Sequence, residues 1–411
     1  MDRKKIVVIG MSAASVSFVV KLRSLDKDCD IICFSGEKDF PYNRCFLADF
    51  LTGDLASQDL LLKPELFFEQ NNIQIKLNSW VNRINTHNQF VCVGEEQYAY
   101  DYLFLGVGTK PAQPPFVVQA RLHGAQNVFN FHTLEDMQSI AKYVENNHVK
   151  NACVIGGGLN GIEAASSLAS LGVEVSVIEG QSTILSGQVD SQVAQWVADK
   201  MRHAGVRVFA GRRARKMVLQ EESRNVSSVE LETGEFVCVD MVIVAVGSSV
   251  NLDLVQGTDI EVVAGSVAVE TNMQTSVSNV FAGGDVCLVK DMMSGQLVRS
   301  TTWADAMLQG LCAATNVASA MTGGAIRQYP GTIGLRDSYF FGKDFYACGQ
   351  TTLTSFDCVE IVESIDYHVV KKWYLQGDEL KGFVLIGDIS GLAEYKRWYM
   401  TRQKVKKSYF N

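Results

Sequence analysis

Twice in this chain of 411 residues the same pattern appears: a β-branched strand that stops at a glycine, a helix of small residues, then a second strand. Ile6-Val-Val-Ile-Gly10 leads to Asp30-Ile-Ile-Cys-Phe34, and Ala152-Cys-Val-Ile-Gly156 leads to Val173-Glu-Val-Ser-Val-Ile178. Such runs are predicted to form βαβ units. Two units allow two nucleotide sites, each where a strand gives way to its helix. They place the chain in the α/β class, and at about 150 residues per domain its length asks for two or three domains. The N-terminal stretch from Arg3 to Val20, basic and then apolar, imitates a secretory leader. Its return at Ala152 to Leu171, deep in the chain, argues for strand and helix instead.

Punctuation divides the rest. Three of the six prolines, Pro111, Pro114 and Pro115, follow the apolar run Leu103-Phe-Leu-Gly-Val-Gly108 and mark a boundary. A helix near Thr133 to Asn146 leads into the second unit, which closes with Met241-Val-Ile-Val-Ala-Val-Gly247. Val280-Phe-Ala-Gly-Gly-Asp285 is again a strand stopping at glycines, and Gly323-Gly324 is the next break. From about Tyr329 the residues alternate like strands, with Gln376-Gly-Asp-Glu379 as a hairpin turn between Val369–Tyr374 and Leu380–Ile386. A helix is expected from Gly391, its basic stretch at Lys404, Lys406 and Lys407 forming a solvated face.

Charge narrows the partners. Lys plus Arg at 37 against Asp plus Glu at 45 leaves a net charge of -8, so neither nucleic acid nor a membrane surface is expected to bind. No apolar run reaches the roughly 20 residues of a membrane span. The ten cysteines contain no C-x-x-C, so no zinc ribbon or dithiol motif is written, no metal is expected, and a reducing cytoplasm fits.

Gly156-Gly-Gly158-Leu159-Asn160-Gly161 fits G-x-G-x-x-G in its required context, strand before and helix after. Gly156 makes the turn, Gly158 lets backbone approach a pyrophosphate, and Gly161 lets helix and strand pack closely. Glu179, followed by Gly180, ends the next strand, where a carboxylate accepts from a ribose 2′-hydroxyl and repels a 2′-phosphate. No Lys or Arg follows in Gly180-Gln-Ser-Thr-Ile, so NADH is favoured over NADPH. Glu163, one turn into the helix, either faces the nicotinamide or is an acid favoured by the helix dipole.

The first unit keeps only one glycine of the fingerprint in Gly10-Met-Ser12-Ala13-Ala14-Ser15. Read with Leu105-Gly-Val107-Gly108-Thr109, the strand ending at Val246-Gly247, and Phe281-Ala-Gly-Gly284-Asp285, the order resembles the two-dinucleotide-fold flavoprotein oxidoreductases. That group includes NADH-dependent rubredoxin and ferredoxin reductases, the flavin part of nitrite reductase, and coenzyme A-disulfide reductase. The resemblance spans nearly the whole chain. It implies two Rossmann-like dinucleotide-binding domains, for FAD (1–112 and 242–322) and NAD (113–241), plus a small C-terminal α+β domain (323–411). It also implies that Gly10, Ser12, Ala13 and Ala14 line the FAD pyrophosphate, with Val107, Gly108 and Thr109 nearby. Gly284 and Asp285 would hold the ribityl or phosphate end, Val81 would sit near the adenine, and Trp303 close to the flavin. Val246 and Gly247 would lie under the nicotinamide. Ser12 and Ser15 depart from the fingerprint, and Gly36 falls where an acid would meet the adenosine ribose, with Glu37 one position later.

Pro41-Tyr-Asn-Arg44-Cys45-Phe-Leu follows the second strand, and in the thiol branch of the family the place of Cys45 resembles a redox cysteine beside the flavin. A thiol at a helix start next to Arg44 is expected to have a depressed pKa. A buried, inert cysteine is the alternative. The first glycine turn carries Ala13 where peroxidase and water-forming oxidase relatives carry histidine, and the C-x4-C pair of glutathione-reductase-type enzymes is missing.

The expectation is therefore an FAD enzyme that takes hydride from NADH and passes electrons to a small iron–sulfur or rubredoxin-type protein, or to a small molecule. Lys396, Arg397, Arg402 and Lys404 are candidates for the docking patch. Two rivals stand beside it: a disulfide reductase or oxidase working through Cys45, and a flavoprotein scaffold or redox sensor with little turnover. The electron acceptor stays open, as does the oligomeric state, a homodimer among the options.

Overall fold

A computed structural model describes residues 3–354, 360–406 and 409–410. The chain divides into two compact units, each discontinuous in sequence. The first comprises Met1–Asn43, Ser57–Lys110 and Ser249–Gly334; the second comprises Arg44–Ala56, Pro111–Ser248 and Leu335–Asn411.

The first unit is built on a five-stranded parallel sheet ordered Val280–Ala282, Tyr102–Leu105, Lys5–Ile9, Asp30–Phe34, Ile73–Lys76. Lys5–Ile9 lies at its centre with Ile6, Val7 and Val8 wholly buried, as a near-continuous β-branched run should be when both faces of a parallel sheet are covered. The helix Ala13–Leu25 covers one face and packs along the 20-residue helix Trp303–Thr322. The two helices approach closely because Gly310 has no side chain; a methyl there would overlap the Ala14 carbonyl. Phe18 stacks on Phe104 at 4.3 Å between ring centres, joining that helix to the sheet. A three-stranded antiparallel meander, Val81–Asn85, Phe90–Val93 and Glu96–Ala99, completes the segment before the prolines.

The second unit repeats the arrangement with the strand order Arg207–Ala210, Glu174–Glu179, Asn151–Ile155, Met241–Val244, Val128–Asn130, again all parallel. The helix Leu159–Ser170 makes the crossover. Residues beyond Leu335 form a five-stranded antiparallel sheet, Arg336–Phe340, Lys343–Gly349, Glu379–Ile386, Val370–Gln376, Glu360–Ile365, closed by the helix Leu392–Thr401. Two parallel-sheet βαβ folds plus a C-terminal α+β segment are the architecture the sequence predicted.

The hairpin turn falls where the sequence placed it, Gln376 pairing with Glu379 across a tip of Gly377 and Asp378. One local expectation needs correction. The basic stretch is not a helix face: the helix stops at Thr401, Arg402 takes a left-handed φ of 50°, and the Lys404 backbone pairs with Glu379 as an isolated antiparallel β-bridge. Lys406 follows outside the helix, and Lys407 lies outside the described residues.

Inside the second unit a buried ion cluster joins the C-terminal sheet to the helix Ser191–His203. Lys372, 2% exposed, sits 2.7 Å from Asp190 Oδ2 and 3.2 Å from Glu363 Oε2, and donates to Gln192 Oε1 at 2.5 Å. Asp190 also accepts from the Tyr374 hydroxyl and caps the helix through the Val193 N–H at 3.0 Å. The Asp190 carboxyl stays below the usual range despite its burial, because Lys372 and Tyr374 donate to it. No helix among the described residues is long and apolar enough to cross a membrane.

Candidate functional site

In each unit a glycine turn opens onto a helix whose N-terminus no side chain caps. Ser12 precedes Ala13–Leu25 and Gly158 precedes Leu159–Ser170, and neither supplies a capping hydrogen bond. By contrast the helices starting at Leu134, Ser191 and Trp303 are capped by Thr133, Asp190 and Thr302. An uncapped helix N-terminus leaves backbone N–H groups and the positive end of the dipole to an anion, which fits a pyrophosphate at both turns.

The second turn is built as its motif requires. Gly156 adopts a φ of 112° and presses on the Ala245 carbonyl, a place a side chain would fill; Gly161 in turn presses on the Gly156 carbonyl. Gly158, followed by Leu159 and Asn160, faces open space, with only Gln188 Nε2 within 3.6 Å of a methyl built there. Glu179 accepts from the Gly157 N–H at 2.7 Å and from the Gln181 N–H at 2.6 Å, so its carboxylate is oriented by backbone. Sequence order hid one neighbour. Arg213, after the strand Arg207–Ala210, lays its aliphatic stem over Gly180, where a methyl would be 2.9 Å from Cγ. Val246 is exposed and Gly247, with a φ of 95°, leads out of the sheet.

The first turn uses different residues for the same close approach. Gly10 has a φ of 84° and donates to Phe34 O at 2.9 Å, which sets the turn beside the second strand. Ser15 stands where the fingerprint has its third glycine; it is fully buried and its hydroxyl has no partner. The missing space is returned across the contact by Gly106, where any side chain would overlap the Ser15 hydroxyl. Ala14 faces Gly284, whose N–H donates to the Gln309 side chain at 2.7 Å and so holds Asp285 in its place after the strand. Val107 and Gly108 carbonyls accept from the side chain and backbone of Asn251, at 2.9 and 3.0 Å, and Thr109 opens the next short strand. Trp303 is half-buried as the first residue of its helix, and Val81 is buried. Gly36 and Glu37 end the second strand's loop, Glu37 accepting from the Tyr42 hydroxyl at 2.5 Å.

Cys45 lies in the second unit, in a short turn leading into Leu47–Thr52, and its surroundings reverse the expected pKa shift. Burial of the sulfur first, then Asp337 and Glu163, push the thiol up to about 12, although the residue keeps an exposed face. The Arg44 guanidinium donates to the His132 carbonyl at 2.7 Å. Glu163 is itself held up to about 7, by burial first and then by Asp337 and Asp49, against a hydrogen bond from the Ser338 hydroxyl at 2.5 Å. The Asp337 and Asp49 carboxyls are raised as well, by burial. None of Asp49, Asp337 and Ser338 stood out in the sequence. The proposed basic patch is partly neutralised, Arg397 by Glu394 at 3.5 Å and Arg402 by Glu379 at 3.9 Å.

Comparison with known proteins agrees with this geometry. The family model described as pyridine nucleotide-disulphide oxidoreductase matches residues 4–310. An NADH oxidase of Methanocaldococcus jannaschii is 30% identical over 76% of this chain and 69% of its own length. A rubredoxin-NAD(+) reductase of Pseudomonas putida is 31% identical over 77% of this chain and 80% of its own. In fold, the chain is similar to putidaredoxin reductase in its covalent complex with putidaredoxin, with a TM-score of 0.89 and 21% identity, covering 100% of this chain and 96% of that one.

Proposed function

Since this chain belongs to the pyridine nucleotide-disulphide oxidoreductase family, NADH-dependent enzymes that carry FAD, we propose that it delivers electrons from NADH to a small iron–sulfur or rubredoxin-type protein, with Cys45 outside the chemistry. FAD, when bound, supplies the step from a two-electron donor to one-electron acceptors. The chain supplies grip and electrostatics. Backbone N–H groups from Ser12 to Ala14 hold the FAD pyrophosphate, and those from Gly158 to Asn160 hold that of NADH. Glu179 takes the adenosine ribose of NADH, and Glu163, its proton retained near neutrality, lies toward the nicotinamide with Gly247. Residues 1–112 and 242–322 serve FAD, 113–241 serve NADH, and 323–411 carry the acceptor face.

The observation that carries this reading is the setting of Cys45, its sulfur buried and flanked by Asp337 and Glu163. Burial first and then these acids push the thiol up to about 12, which favours the protonated form at neutral pH, a poor nucleophile toward a disulfide. An anaerobic NADH titration followed by absorbance tests it. Flavin bleaching complete at one NADH per FAD, without a long-wavelength charge-transfer band, is expected, and Cys45→Ser should leave turnover unchanged. Uptake of a second equivalent, or a band that disappears in Cys45→Ser, would move the enzyme to thiol chemistry.

A further inference from the structure

At the end of the strand Asp30–Phe34, where a βαβ nucleotide site commonly places a carboxylate for the ribose, this chain has Gly36. The place is filled from elsewhere: a methyl built on Gly36 would lie 2.6 Å from Cδ2 and Cζ2 of Trp80. Backbone hydrogen bonds hold the indole there. Ser35 N–H donates to Lys76 O at 2.9 Å, Asn78 N–H to Glu37 O at 3.0 Å, and Ser79 N–H to Ser35 O at 2.7 Å, tying the loop before Trp80 onto the end of the strand. The Gly10 turn is anchored to Phe34, two residues before Gly36. Glu37, the carboxylate one position along, takes the Tyr42 hydroxyl.

Trp80 is nonetheless 73% exposed, and no aromatic ring or cation covers it among the described residues. An indole with backbone against one face and water on the other forgoes most of the burial a tryptophan ordinarily gains. It is also a ready stacking surface, rigid because its loop is tied down, and set at the adenosine end of a dinucleotide turn.

We propose that Trp80 is the adenine platform of the FAD site, taking over by stacking the hold that a ribose-binding carboxylate at position 36 would otherwise provide. This rests on the FAD reading above. Gly36 is then part of the device, since any side chain there would displace the ring. Recognition shifts from the sugar hydroxyls to the face of the base.

The test is calorimetric titration of flavin-stripped, full-length protein with FAD, ADP and FMN, comparing the parent with Trp80→Ala and Trp80→Phe. Trp80→Ala is expected to weaken FAD and ADP by roughly ten- to a hundredfold, the size of one base–aromatic stack, while FMN, which lacks adenosine, binds both proteins alike. Trp80→Phe should keep most of the affinity. Parent-like FAD and ADP affinities in Trp80→Ala would overturn the proposal and leave the FAD reading standing, as would an equal loss for FMN. A parent that takes up neither FAD nor ADP would overturn both.

Discussion

Glu163 ties the stability of the fold to the proposed chemistry. Its carboxyl, raised to about 7 chiefly by burial, keeps its proton in the folded protein at pH values where the unfolded chain has lost it. The sign follows: the folded state is favoured at low pH, and that contribution fades as pH rises from about 4.3 toward 7. Glu163→Gln, which mimics the protonated form, should flatten urea-measured stability across that window and exceed the parent at pH 8 by roughly 1–3 kcal/mol. Ser338→Ala should act in the opposite sense to a relaxed carboxyl, because the hydroxyl favours the charged form. Without it Glu163 holds its proton to higher pH, and the pH profile of flavin reduction by NADH, followed by stopped flow, should move upward with it. A profile that stays in place would detach Glu163 from that step.

Among the elements, the helix Ala13–Leu25 carries the most instructive compromise. Its fingerprint is degraded, and Gly106 gives back the space that Ser15 takes. Gly106→Ala should therefore destabilise by about 1–3 kcal/mol through overpacking. Adding Ser15→Ala should restore most of that loss, since the overlap is with the hydroxyl and the serine Cβ stands off at 3.4 Å; a double-mutant cycle in urea reads the coupling. The helix, its strands and the second turn were legible in the sequence because period and glycine spacing are local signals. The Ser15–Gly106 exchange was not, since it pairs residues about ninety positions apart. The same distance hid part of what raises the Cys45 thiol, which is burial first and then the acids: Asp337 lies almost three hundred residues away. Trp80 over Gly36 and Arg213 over Gly180 belong to this class as well, side chains brought in by loops that no spacing rule connects.

At the scale of the molecule, the buried cluster of Lys372, Asp190 and Tyr374, with Glu363 at its exposed edge, decides how firmly the C-terminal sheet belongs to the second unit. Lys372→Met strands a buried carboxylate and should cost about 3–5 kcal/mol in urea unfolding. Adding Asp190→Ser, which keeps a helix cap, should recover much of that loss. Because the Asp190 carboxyl is held low, its contribution is present above the ordinary carboxylate range and is lost as pH falls through and below it.

The interleaving of the two units also sets a timetable for synthesis. The central strand of the first sheet leaves the ribosome long before its edge partner Val280–Ala282 and the helix Trp303–Thr322, which come only after most of the second unit has been made. At ~5–20 residues per second, the wait from Phe34 to Thr322 is roughly 15–60 s. Throughout that interval a β-branched sheet lacks one edge strand, and the helix Ala13–Leu25 lacks the partner that packs along it. A nascent chain of this design is expected to need chaperones more than one whose domains are finished in order.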